Sequence, residues 1–128
     1  MLTVSESLDY LEARATRHGM TTFELLEMTP SQVADCPQEA AIFWEDKHIS
    51  HIQPRSVYPE IAHDPTNMMP EDPQSNMSRG AQTMTNAEIE AANADNQYDA
   101  TLIDIMNTCD NVPVDLPIPD LLPVLGFF

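Results

Sequence analysis

The sequence predicts an α+β fold that is mainly helical, on three observations. Helix-start signals recur along the chain, a single short stretch alternates polar and apolar residues as a strand does, and the last 18 residues carry four prolines that forbid a helix there. A small two-strand unit flanked by short helices and an extended arm follows from these.

The first third reads as short helices with clear punctuation. Thr3 with Glu6 is a capping-box pattern, Leu8, Leu11 and Ala15 share one helical face beside Tyr10, and Gly19 stands where that helix stops. Thr21 with Glu24 opens a second helix covering Phe23, Leu25 and Leu26. Thr29-Pro30-Ser31-Gln32 opens a third, with proline at the first helical position. Residues 1–42 thus form a helical cap. A DNA-reading helix-turn-helix is disfavoured here, because Glu24, Glu27 and Asp35 stand where a recognition helix needs basic or amide side chains.

Lys47 to Ile52 alternates as a half-buried strand and ends at Gln53-Pro54. Asn67-Met68-Met69 is a second strand, entered through Asp64-Pro65. Asp72-Pro73 then supplies a cap and a first-turn proline for a helix that carries Asn76 and ends at Gly80. Residues 43–84 are accordingly one module. Residues 85–110 form a helical segment, with a capping box at Thr85 and Glu88, an Ala-rich helix to about Ala94, and a second helix in which Tyr98, Leu102, Ile105, Met106 and Cys109 recur at helical spacing. Residues 111–128 form the arm. Its apolar residues, Leu116, Ile118, Leu121, Leu122, Leu125, Phe127 and Phe128 among them, are too many for a solvated linker, so the arm is expected to dock on a protein partner or a larger assembly.

Composition narrows the function classes. The 128 residues carry 21 acidic against 5 basic side chains, a formal net charge of -16, and such a chain repels a phosphate backbone unless a cation or a local basic patch intervenes. The charge is unevenly spread: -5 over residues 1–42, -3 over 43–84 and -8 over 85–128. An anionic ligand meets least repulsion in the middle. Cys36 and Cys109 have no CxxC spacing, which argues for two thiols in a reducing compartment rather than a zinc ribbon or disulfide framework. No leader pattern opens the chain and no apolar run approaches the roughly 18 residues of a membrane span, so a soluble protein without a membrane partner is expected.

The chemistry-bearing stretch lies in the middle module. It reads His51-Ile52-Gln53-Pro54-Arg55-Ser56, then Asp64-Pro65-Thr66-Asn67, then Asn76-Met77-Ser78-Arg79-Gly80. This frame resembles the ββα-metal module of HNH endonucleases over about residues 43–84, in an HNN-type variant. The resemblance implies that His51 is the general base, that Asn67 fixes the loop and orients it, that Asn76 binds a divalent metal, and that Arg79 contacts phosphate. It also implies Mg²⁺ or Mn²⁺ as cofactor and DNA as substrate. One position departs: the residue before the base is usually Asp or His, a second metal ligand, and here it is Ser50, whose neutral hydroxyl is a poor ligand for Mg²⁺.

Singly, each of these residues also suits a structural role: His51 as a hydrogen-bonded strand histidine, Asn67 as a turn residue, Asn76 as an exposed helix residue, Arg79 as a partner for a carboxylate. His18, His48 and His63 show no mutual ligand spacing and read as surface or core histidines. The balance at this level favours a non-catalytic structural or interaction protein on a degenerate HNH-like core, with no cofactor, bacteriophage-encoded by analogy, and placed in the host cytoplasm or the virion. A metal-dependent endonuclease that cleaves or nicks DNA is the alternative, and an acidic DNA mimic a weaker one.

Overall fold

The computed structural model describes residues 2–107, so the expected arm and Cys109 lie outside the described residues. The fold is α+β and mainly helical. In chain order it runs α1 (Val4–Arg17), α2 (Thr22–Glu27), α3 (Ser31–Ala34), α4 (Pro37–Glu45), β1 (His48–His51), β2 (Met68–Glu71), α5 (Pro73–Arg79) and α6 (Asn86–Asn107), with two 3₁₀ turns, Pro59–Ile61 and Pro65–Asn67, between the strands. Among the described residues no helix is long and apolar enough to cross a membrane.

Local signals set most helix starts. Thr3 and Thr21 each complete a reciprocal capping box, with Glu6 and Glu24 respectively. Gly19 follows α1 at φ 73°, and a Cβ there would meet Nδ1 of His63 at 2.9 Å, so only glycine allows the loop to seat against the end of α1. The third start differs from expectation: α3 begins at Ser31, one residue after Pro30. Thr29 does not cap it, because its hydroxyl donates to the Leu25 carbonyl at 2.8 Å and accepts from the Trp44 indole at 2.9 Å. A buried tryptophan N–H needs an acceptor, and Thr29 is that acceptor.

The sequence reading missed α4, which supplies the centre of the core. Trp44 and Phe43, exposed by 0% and 1%, meet edge to face with centroids 5.5 Å apart. Around them lie Leu11, Ala15, Leu25, Val33, Ala40, Ile49, Met68 and Ala100, so helices from both ends of the described chain and both strands share one core. A smaller cluster of Met69, Met84 and Ala92 extends it beneath Ile52 and Ile89.

β1 and β2 pair antiparallel, with His48 opposite Glu71, Ile49 opposite Pro70, Ser50 opposite Met69 and His51 opposite Met68. Asp72 caps α5 by accepting from the backbone N–H groups of Gln74 and Ser75, as its Asp-Pro signal indicates. The two helices expected after residue 85 are one continuous α6. Its buried face is Ala92, Asn96 and Ala100 with half-buried Asp99 and Ile103, whereas the apolar stripe of Tyr98, Ile105 and Met106 is 65% exposed or more. Two polar contacts select that face. Asn96 donates to the Pro70 carbonyl at 2.8 Å, and Asp99 pairs with buried Lys47 at 2.8 Å, so the amphipathic rule is overridden by groups on the hairpin that need partners. Cys36 is buried and is not a free thiol, contrary to the sequence expectation.

Leu11 is fully buried at the meeting of α1 with the rest of the core. Leu11→Ala should lower the unfolding free energy by about 2–5 kcal/mol, read as an earlier urea midpoint with an unchanged slope.

Candidate functional site

The site lies on the β1–β2–α5 unit and is organised by the loop between the strands. Asn67, 7% exposed, closes that loop with its side chain: its Oδ1 accepts from the Gln53 N–H at 2.8 Å, and its Nδ2 donates to the Gln53 carbonyl at 3.0 Å and to the Ile61 carbonyl at 3.4 Å. The next carbonyl, that of Ala62, accepts from Nε2 of His51 at 2.9 Å. A carbonyl can only accept, so the neutral ring carries its proton on Nε2 and keeps a lone pair on Nδ1. Nδ1 is then the atom of the ring that can accept a proton.

Asn76 sits on α5 across from β1. Alternation along the strand turns His48 and Ser50 toward α5 and His51 toward the loop. Accordingly Asn76 accepts from the Ser50 hydroxyl at 3.0 Å and donates from Nδ2 to Nδ1 of His48 at 3.2 Å. His51 and Asn76 nevertheless line one cleft. Arg79 is turned the other way: it donates to Glu71 at 2.8 Å and to the Ser50 hydroxyl at 2.8 Å, and the side chains of Arg79 and Glu71 are each only 5% exposed. Its guanidinium holds a carboxylate and a serine within the fold. Burial pushes the Glu71 carboxyl up, but the hydrogen bonds and the charge of Arg79 outweigh it and hold the group below its usual range.

Those contacts test the metal that the HNH resemblance implies. Asn76 and Ser50 offer neutral oxygens already bonded to one another, and a guanidinium lies 2.8 Å from the serine oxygen. A hard dication prefers anionic oxygens and is repelled by a fixed cation at that range. Among the described residues no three His, Cys, Asp or Glu side chains gather as ligands. The residues present do not fit Mg²⁺ or Mn²⁺.

The sequence reading missed the cleft's charge. It is lined by Arg14, Arg17, Lys47 and Arg55, four of the chain's five basic residues, together with His18, His48 and His51, and among the described residues Glu45 is the one carboxylate in its lining. Arg14, Arg17 and Arg55 form no salt bridge among the described residues. Arg14 is held by carbonyls instead, those of Trp44 at 2.7 Å and Lys47 at 2.9 Å, and stacks near the Tyr10 and Trp44 rings, so its position is fixed while its charge stays unneutralised. His18 donates from Nδ1 to the Arg14 carbonyl at 3.2 Å, and burial, ahead of the neighbouring positive charges, pushes its pKa down. A signal was present: Arg14, Arg17 and His18 are spaced i, i+3 and i+4 along the last turn of α1 and its C-cap, one basic face in an acidic chain. The partner-docking residues Leu116, Ile118, Leu121, Leu122, Leu125, Phe127 and Phe128 lie outside the described residues.

Because the folded pKa of Glu71 is depressed below its ordinary 4.5, the pair's full contribution is present above that value and is lost as pH falls through the folded pKa. Urea midpoints should fall with acidification below about pH 4.5, and Glu71→Gln should flatten part of that slope. Arg79→Ala, which strands a buried carboxylate, should cost about 3–5 kcal/mol at neutral pH.

The chain matches no protein-family model, no curated protein and no solved structure, so the meaning of the site rests on its own geometry.

Proposed function

We propose that the protein binds a nucleic-acid phosphodiester in the basic cleft and cleaves it with His51 as general base. The observation that carries this reading is a histidine held by Ala62 with Nδ1 as its proton-accepting atom, in the same cleft as three arginines that have no salt-bridge partner among the described residues. Three of the chain's four arginines have no carboxylate partner among the described residues, and their gathering around one cleft of about 680 Å³ suits an anionic ligand of nucleotide size. Repulsion from the distant acids is screened beyond about 8 Å at physiological salt, so the local charges govern the encounter. The HNH resemblance read from the sequence implies the same roles for His51 and Asn67.

A second reading, a binding protein without catalysis, is favoured by one observation: Ser50 and Asn76 satisfy each other. The sequence alone also favours a non-catalytic protein, but one that meets a protein partner rather than nucleic acid.

Both are separated by measuring binding and cleavage of labelled single-stranded oligonucleotides together. Arg17→Ala and Arg55→Ala, both at exposed positions, should each weaken binding about tenfold and reduce its salt dependence. His51→Ala should leave binding nearly unchanged and lower cleavage by about 10²–10⁴-fold, with circular dichroism confirming the fold. Binding that survives with no cleavage by the wild type would establish the second reading, and absence of both would end the proposal.

A further inference from the structure

We infer that the cleft cleaves RNA without a divalent cation, using the substrate's own 2′-hydroxyl as nucleophile, with His51 as base and His18 as acid. This rests on the phosphodiester reading above and names its substrate class.

The argument begins at Ser50. A dication would have to displace the Ser50–Asn76 hydrogen bond and sit beside the Arg79 guanidinium, whose position is fixed by the buried pair with Glu71. The charge a phosphate meets in this cleft is therefore carried by side chains. Arg17 and Arg55 supply exposed guanidinium groups suited to phosphate oxygens, Arg14 adds a fixed positive charge, and together they can stabilise the charge that builds on phosphorus without a metal.

What such a site lacks is a means of making water strongly nucleophilic. Metal coordination lowers the pKa of water by many units, whereas an imidazole alone removes a proton only as attack proceeds. A nucleophile already held next to phosphorus removes most of that difficulty, since intramolecular attack carries effective molarities of about 10⁵–10⁸ M. RNA has that group at every residue and DNA has it at none.

The two imidazoles are set up for opposite roles. His51 holds its proton on Nε2 against Ala62 and offers the Nδ1 lone pair. His18 holds Nδ1–H against the Arg14 carbonyl, leaving Nε2 as the atom that exchanges protons, and it lines the same cleft as His51. As the bond from the 2′ oxygen to phosphorus forms, the hydroxyl proton passes to His51 Nδ1. The bond from phosphorus to the 5′ oxygen breaks, and the departing oxygen takes the Nε2 proton of the His18 imidazolium. The products are a 2′,3′-cyclic phosphate and a 5′-hydroxyl, with one proton moved from His18 to His51 and none gained or lost. Burial that disfavours the charged form of His18 makes its imidazolium the stronger acid.

The test uses the full chain with three labelled single strands of one sequence, all-RNA, all-DNA and DNA with a single ribonucleotide, in excess EDTA and again with added Mg²⁺. The expected result is cleavage of the RNA and of the chimera at its ribonucleotide, in EDTA, with a cyclic phosphate end, while the DNA is bound and left intact. Identically purified His51→Ala should lose about 10²–10⁴-fold in rate. His18→Asn should lose the alkaline limb of the pH–rate profile, which a purely structural role would not move. Cleavage that requires Mg²⁺, or DNA cut as fast as RNA, overturns this inference and leaves the phosphodiesterase reading standing. Binding of all three strands with no cleavage overturns it in favour of the binding protein. No binding at all removes the reading on which it rests.

Discussion

One side-chain amide holds the site together. The connection from β1 to β2 is built from two 3₁₀ turns and their backbone hydrogen bonds, and Asn67 ties it together by pairing with both backbone groups of Gln53 while reaching the Ile61 carbonyl. Asparagine can do this because its amide carries a donor and an acceptor on one planar group, as a backbone peptide does. Once Gln53 and Ile61 are fixed, the Ala62 carbonyl is fixed, and with it the tautomer of His51. A buried side chain that touches no ligand thus decides which ring nitrogen is basic.

The second dependence is electrostatic. Of five basic side chains, Lys47 and Arg79 are committed to carboxylates within the fold, and among the described residues Arg14, Arg17 and Arg55 are not. The committed pair tie α6 and α5 to the hairpin. Freed of that duty, the others set the potential of the cleft. Arg14 shows how such a charge is kept: carbonyl and hydroxyl oxygens satisfy its N–H groups while contributing no net charge, so its site is rigid and still positive. A carboxylate in place of those oxygens would have given the same geometry and cancelled the charge.

What the sequence made legible was what neighbouring residues decide. The capping boxes at Thr3 and Thr21, the strand at His48–His51 and the Asp72-Pro73 start are local patterns, and each appears where its pattern stands. The helix α4 was not legible, because Ala40, Ala41, Phe43 and Trp44 are all buried and a helix covered on most of its circumference shows no polar face to give it away. For α6 the apolar stripe pointed to the wrong face, since Asn96 and Asp99 are held by Pro70 and Lys47 from elsewhere in the chain. The cleft was legible only in part. His51, Asn67 and Asn76 stand in one frame, but the basic face of α1 reaches them through the packing of α1 on α4, which no spacing in the sequence encodes.

Arg79 illustrates why a frame of matching residues is weaker evidence than the contacts they make. By position it is the basic residue expected to meet phosphate, yet its fork is filled by Glu71, a carboxylate on the strand beneath it. Releasing it would expose Glu71 unpaired at only 5% accessibility, a cost of several kcal/mol, far above what one more phosphate contact returns. The same pair keeps a positive charge against the Ser50 hydroxyl, at the point where a carboxylate ligand would otherwise invite a metal. Serine at this position and arginine in its bond to it are therefore one feature. Around His51 the cleft presents cations of its own, Arg14, Arg17 and Arg55 among them.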